Sequence, residues 1–241
     1  PFAAVILAAG LGTRMRSALP KVLHALAGRP MIGHLAAAVA TLAPAKVVVV
    51  TAPGMEAVVT AARPAVGAVQ HPALGTGHAV QAAMPALAGF AGDVLVLYGD
   101  SPLITAETLR AMLAKRQSGA AVVVLGFRPA DPSGYGRRGA EAAGRRDRIV
   151  EHKDANEAER AIDLCDSCFM AIDGTVLPAL LERLENNNAK GEYYLTDIVA
   201  HARAKGLACG YVEAAAEELI GVNSRAELAV AEAGVQTRLR A

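Results

Sequence analysis

Along the first half of the chain, short apolar runs rich in β-branched residues alternate with longer Ala-rich stretches of amphipathic pattern. The runs Ala3–Leu7, Lys46–Val50, Val66–Val69, Val94–Leu97 and Ala121–Gly126 predict strands. Met31–Leu42, Met55–Ala62, Gly77–Leu87 and Ala106–Gln117 predict helices. Segments such as "VVVV" and "VLVLY" show no polar alternation, as expected of parallel strands covered on both faces. Strand–helix alternation of this kind predicts a doubly wound, Rossmann-like α/β fold with a mostly parallel sheet. After about residue 128 the rhythm breaks into the polar, turn-rich "RPADPSGYGRRGAEAAGRRDR", followed by strands at Ile149 and around Leu164–Ile172. This second part is expected to be a substrate-binding lobe inserted into or appended to the sheet. The arginine-rich run Arg137–Arg148 is expected to be a solvated flap, because no aromatic residues interleave its cations as a polyanion site would require. A final helix is predicted over Ser224–Arg240, with Ser224 and Glu227 spaced as a capping box.

Composition narrows the class. The 241 residues are 53% hydrophobic and 20% charged, with a formal net charge of +1, which describes a globular protein with no electrostatic footprint for nucleic acid or a membrane. No apolar stretch has spanning length and no signal peptide opens the chain, so a cytoplasmic protein is expected. The start at Pro1 reads as trimming or processing. Three cysteines make no disulfide framework.

Three stretches carry candidate chemistry. "LAAGLGTRM" (7–15) follows the first strand. It is neither a Walker A loop, since Gly12 is followed by Thr13 and Arg14, nor a dinucleotide fingerprint, since Met15 stands at the third glycine position. Gly10 and Gly12 nevertheless allow close backbone approach to an anion, and Arg14 and Lys21 supply positive charge nearby. The competing reading is a plain β-to-α turn with two solvated cations. "LYGDSPL" (97–103) puts Asp100 just past a buried strand, where a Mg²⁺ ligand or a helix-capping Asp belongs. In "QHPALGTGHAV" (70–80), the Gln70 amide matches the edge of uracil, or with the amide flipped that of cytosine.

Taken in order, "LAAGLGTRM", "LPKVL", "LGTGHAV", "LYGDSPLI", "GYGR", "IVEHKDA", "ENNNAKGEYYLTDIV" and "GVNSRAEL" make the chain resemble the sugar-1-phosphate nucleotidyltransferases, specifically the uridylyltransferase domains of bacterial bifunctional GlmU enzymes. The resemblance implies a GT-A-like nucleotidyltransferase domain over about 1–224. Its nucleotide-binding part would be about 1–127 and its sugar-binding lobe about 128–224, with 225–241 a helix leading to a second domain. It implies Mg²⁺-dependent transfer of uridylyl from UTP to N-acetylglucosamine 1-phosphate, releasing pyrophosphate and supplying cell-wall and lipopolysaccharide synthesis. Arg14, Lys21 and Asp100 would be catalytic. Leu7, Ala8, Ala9, Gly10, Gln70, Gly75 and Thr76 would bind the nucleotide, and Asp100 with Asn223 would hold Mg²⁺. Tyr98, Gly99, Gly136, Glu151, Asp166, Tyr194 and Thr196 would line the sugar site.

Two departures stand out. In "LCDSCFM" (164–170), Asp166 replaces an Asn that would donate to the sugar, and Cys168 replaces a Gly. The Cys165–Cys168 pair reads as two small side chains on a pocket strand rather than a zinc or redox motif. The hexapeptide-repeat acetyltransferase half of such enzymes has no counterpart in the sequence. The chain is therefore expected to be a truncated or monofunctional relative, monomeric by itself and trimeric where that half is present.

Overall fold

The computed structural model of the chain describes residues 1–138 and 149–240. Its elements run β1 (Phe2–Leu7), β2 (Ala25–Leu26), β3 (Arg29–Pro30), α1 (Met31–Ala40), β4 (Lys46–Thr51), α2 (Glu56–Ala61), β5 (Val66–Val69), α3 (Thr76–Ala83), β6 (Asp93–Tyr98), α4 (Ala106–Gln117) and β7 (Val122–Phe127). The second part adds β8 (Gly136–Arg138), β9 (Ile149–Val150), α5 (Glu157–Arg160), β10 (Cys165–Asp173), α6 (Leu177–Leu181), α7 (Asp197–Ala204), β11 (Cys209–Glu213) and α8 (Arg225–Arg240). The main sheet runs β11-β7-β10-β6-β1-β4-β5, with β8 joined to β10 and β9 to β8. Pairing is parallel except where β10 lies antiparallel between β6 and β7, and in the β8–β9 and β8–β10 pairs.

The all-apolar strands follow from this architecture. Ala4 and Ile6 of β1 face a core with Ile32 and Leu35 of α1, Val58 of α2 and Leu109 of α4. Ala3, Val5 and Leu7 face the opposite core, with Val80 of α3, Leu177 and Leu180 of α6 and Ile198 of α7. Both faces of the sheet are covered, so alternate residues have no solvent side on which polarity would be tolerated. A third cluster packs Ala231 and Val235 of α8 against Leu26, Met31, Leu103 and Val222. It brings the last helix to the loop that follows β6.

Of the two placements open for the second part, its long strand takes insertion: β10 enters the middle of the sheet. Two other expectations change. Arg137 is not solvated: it is only 2% exposed, and its guanidinium donates to the Tyr135 carbonyl at 2.6 Å and the Arg160 carbonyl at 3.3 Å. The rest of the expected arginine-rich flap, from 139 to 148, lies outside the described residues. The capping box is shifted. Ser224 Oγ accepts from the Glu227 N–H at 3.3 Å, but Glu227 Oε2 reaches past Ser224 to the N–H of Asn223 at 2.8 Å. No helix among the described residues is long and apolar enough to cross a membrane.

Candidate active site

A cavity of about 250 Å³ opens beyond the carboxyl ends of β1 and β6, where ligands bind in open α/β sheets. It is lined by Leu7, Ala8, Ala9, Gly10, Lys21, Gln70, Gly75, Thr76, Tyr98 and Asp100, which places most of the expected nucleotide-side residues around one space. Glu192, which the sequence reading passed over, also lines it. Arg14 does not: it is exposed on the loop outside the lining. Within the loop, the Ala8 N–H is consumed by the Val50 carbonyl at 2.8 Å, and the Leu7 carbonyl accepts from Gly99 at 2.9 Å. Ala9 and Gly10 make no such bonds among the described residues. The Ala9 and Gly10 N–H groups are therefore the loop donors left open toward a ligand.

Lys21 is the hub. Its side chain is 11% exposed, and its ammonium donates to Asp100 Oδ2 at 2.5 Å and to Asn223 Oδ1 at 2.8 Å. Gly12 permits this placement: it adopts φ +63°, and a Cβ there would stand 2.6 Å from the Lys21 Cβ. The segments carrying Asp100 and Asn223 are tied independently of Lys21. The Val222 N–H donates to the Asp100 carbonyl at 2.8 Å, and Glu227 holds the Asn223 backbone. A carboxylate and an amide oxygen that converge on one ammonium form a hard-oxygen donor set of the kind that suits Mg²⁺ completed by substrate phosphates. No group of three or more His, Cys, Asp or Glu among the described residues is placed to hold a metal by itself.

Gln70 is buried, and its Nε2 donates to the Gly75 carbonyl at 2.9 Å and lies 3.2 Å from His78 Nδ1. A carbonyl only accepts, so the amide nitrogen must face Gly75 and Oε1 is the group left to offer a ligand. Of the two amide orientations compatible with the sequence, the Gly75 contact selects one. Gly75 has a second task. At φ +111°, a Cβ there would stand 2.7 Å from the Tyr193 carbonyl oxygen. The 74–77 turn is laced to 193–195 by Tyr193 N–H to Leu74 at 2.8 Å, Gly77 N–H to Tyr193 at 2.8 Å and Leu195 N–H to Thr76 Oγ1 at 3.0 Å.

The expected sugar-side residues divide. Tyr98 lines the first cavity and stacks on Phe169 with centroids 5.9 Å apart. Glu151 and Tyr194 line a second cavity of about 260 Å³ together with Asp154, Asp197 and His201. Thr196 joins the set by donating to Glu151 Oε1 at 3.3 Å. Gly136 pairs with Asp166 across β8 and β10, and Gly99 packs against Val22. Burial raises the pKa of Glu151 above the ordinary carboxylate range. Burial, reinforced by Asp154, Glu151, Glu192 and Asp197, pushes the Tyr194 phenol up to about 12.

The substituted pair lies within this wall. Asp166 is 2% exposed. The Cys168 thiol is pushed well up by burial and, next, by the neighbouring Asp166 and Glu151 carboxylates. Cys168 adopts φ +66° at the irregularity where the β10–β7 register shifts. That is a glycine conformation, which accounts for the Gly the pattern prefers there. Burial also raises the Cys165 thiol, opposite to what a reactive cysteine needs.

The MobA-like NTP transferase domain family matches residues 4–164 of the chain. The chain belongs to that family. This NTP transferase domain is 62% identical to the bifunctional protein GlmU of Rhodospirillum rubrum over 240 residues, which are 99% of the chain and 54% of that protein. It is 57% identical to the bifunctional protein GlmU of Paramagnetospirillum magneticum, over 99% of the chain and 53% of that protein. The domain thus spans about half the length of these curated relatives. Its fold matches a Bacillus anthracis protein assigned as a glucose-1-phosphate thymidylyltransferase, with TM-score 0.76, 20% identity and coverage of 97% and 94% of the two chains. A UDP-glucose pyrophosphorylase complexed with UDP-glucose matches with TM-score 0.75, 16% identity and 98% coverage of both chains.

Proposed function

We propose that this domain transfers uridylyl from UTP to N-acetylglucosamine 1-phosphate, giving UDP-N-acetylglucosamine and pyrophosphate, in the cytoplasm. The observation that carries the reading is the meeting of Lys21, Asp100 and Asn223 at the mouth of the cavity lined by Gln70 and the 7–10 loop. The naming of its relatives as GlmU agrees with it. Gln70 Oε1 accepts from uracil N3–H; cytosine carries no proton at N3, so the same oxygen disfavours it. Ala9 and Gly10 present N–H donors to the triphosphate, and Arg14 closes on it from the exposed rim. Asp100 and Asn223 would hold Mg²⁺, which would supply neutralisation of phosphate charge.

The acceptor needs little help from a base, because a sugar phosphate has a second pKa of about 6 and is mostly dianionic at pH 7. One of its oxygens bonds to the α-phosphorus in line. The bond to the β-phosphate oxygen breaks, and its electron pair leaves with pyrophosphate. Lys21 neutralises the charge that gathers at the α-phosphate, while Tyr98, Gly99, Gly136, Glu151, Asp166, Tyr194 and Thr196 position the sugar. The deciding assay is pyrophosphate release from UTP and Mg²⁺ with either N-acetylglucosamine 1-phosphate or glucose 1-phosphate. Release with the N-acetyl sugar is expected; absence of release with both overturns the reading. A second reading, altered sugar choice, is favoured by the acceptor-only Asp166 beside Cys168 and would appear as preference for glucose 1-phosphate.

A further inference from the structure

The two oxygens proposed above for Mg²⁺ already have a cation. Lys21 Nζ contacts Asp100 Oδ2 at 2.5 Å and Asn223 Oδ1 at 2.8 Å, so it sits between the donors rather than beside them. Mg²⁺ requires oxygens at about 2.0–2.1 Å and near-octahedral geometry. It cannot share these two with an ammonium that occupies the same approach, and two cations so close repel strongly in a part-buried site. The base of the Lys21 side chain is pinned by Gly12, but its four-carbon stem lets the ammonium swing. The oxygens need no Lys21 to stay together, because Asp100–Val222 and Asn223–Glu227 bonds hold their backbones.

We infer that Lys21 and a divalent cation compete for Asp100 and Asn223, and that nucleotide phosphate opens the metal site by drawing Lys21 away. The inference rests on the metal assignment under Proposed function and adds an order of assembly to it. Without nucleotide, Lys21 guards the carboxylate and the divalent ion binds weakly. With nucleotide, the ammonium moves to phosphate, its charge is used twice, and nucleotide and metal strengthen each other's binding. By reciprocity the metal raises nucleotide affinity by the same factor.

The test uses Mn²⁺ binding to the whole chain, followed by the electron paramagnetic resonance of free Mn²⁺, with and without α,β-imido-UTP. In Lys21→Met, Mn²⁺ should bind about 10-fold tighter without nucleotide, within the usual 5–150-fold span of coupling effects, and the gain from the analogue should shrink correspondingly. Arg16→Met removes an exposed cation of the same segment and should change metal affinity little. Lys21→Gln repeats the measurement if methionine at 21 unfolds the chain. Unchanged or weaker Mn²⁺ binding in the Lys21 variants overturns the competition, as does equal tightening in Arg16→Met, which would signify mere net charge. Asp100→Ala separates the two levels. If it abolishes Mn²⁺ binding while the Lys21 variants behave as wild type, only the competition fails. If Mn²⁺ binding survives Asp100→Ala, the metal assignment fails and takes the competition with it.

Discussion

The two sides of the candidate site are built on opposite electrostatic principles. On the nucleotide side, Lys21 and backbone donors stand at a loop end, and the Asp100 carboxylate is matched by Lys21. On the sugar side, the wall is acidic and ranges from buried Asp166 and Tyr194 to exposed Asp154: Asp166 lies near Cys168 and Tyr98, and Glu151, Asp154 and Tyr194 line a neighbouring space. Burial raises Glu151, Cys168 and Tyr194 alike, so this wall favours neutral, hydrogen-bonding forms. A polyphosphate is held by charge and a sugar by hydroxyl geometry, and each side has the chemistry of its proposed occupant. The two departures from the family pattern, Asp166 and Cys168, both fall on the sugar side, whereas a change at Lys21 would disturb both oxygens it bridges.

The sharpest way to break this comparison is Asp100→Ala. If the nucleotide side works by charge placement, turnover should fall by about 10²–10³ while UTP binding in the absence of metal is kept, as for loss of one preorganised charge partner. Steady-state pyrophosphate release and UTP titration check this. Equal turnover would remove Asp100 from the chemistry and leave its contact with Lys21 structural.

A smaller effect addresses the seam between the sides. Gly75 stands where a Cβ would collide with Tyr193 backbone atoms at 2.7–2.8 Å, in a conformation that L side chains rarely adopt. Gly75→Ala is expected to cost about 2–3 kcal/mol from overpacking and left-handed strain, lowering Tm by roughly 5–10 °C for a chain of this size. Thermal unfolding tests it. A variant as stable as wild type would show that the 193–195 segment yields, and that the lacing of Thr76 to Leu195 does not fix the cavity.

Cys168→Gly acts on the sugar side alone. Relief of the φ +66° conformation should stabilise the fold by about 0.5–1 kcal/mol, the left-handed penalty less the greater unfolded-state entropy of glycine. Asp166→Asn, which supplies a donor where the carboxylate only accepts, combined with Cys168→Gly is expected to keep that gain and to lower KM for N-acetylglucosamine 1-phosphate. An unchanged KM would mean that position 166 does not read the sugar.

Much of this architecture was legible because it is local. The strands at Ala3–Leu7 and Val66–Val69 and the helix at Ala106–Gln117 follow from apolar runs and periodicity within one window. The placement of Gln70 and Asp100 at strand ends was legible from the apolar runs that precede them, whereas the contact of Lys21 with Asp100 was not. What stayed hidden depends on partners far along the chain. The place of β10 between β6 and β7 is settled by long-range pairing, and nothing in "CDSCFMAID" says which neighbours it takes. Arg137 reads as solvated until carbonyls of Tyr135 and Arg160 are brought to it. The spacing of Ser224 and Glu227 signalled a cap, but not that Glu227 would hold the backbone of Asn223 instead of that of Ser224. The orientation of Gln70 required the Gly75 carbonyl, which only the folded turn supplies.

The mildest test is one of pH, and it bears on the claim that burial governs the sugar side. Glu151 has a raised pKa in the folded chain, chiefly from burial and only partly offset by Lys190 and Thr196. Between the ordinary carboxylate range and this raised value, the folded state binds more protons than the unfolded one, so stability must fall as pH rises through that window. Below the window the carboxyl is protonated in both states and contributes nothing. Above it the full cost of a buried carboxylate is present. Glu151→Gln keeps the size and an acceptor for Thr196 while removing the ionisation. Its Tm relative to wild type should therefore be lowest below that window and rise with pH through it, as the wild-type chain takes on the buried charge. A difference that stays flat over that range would mean that Glu151 ionises as freely folded as unfolded, and that its side of the site is wetter than its burial indicates. A difference of opposite slope would mean that a cation stabilises the carboxylate, making the sugar side resemble the nucleotide side after all.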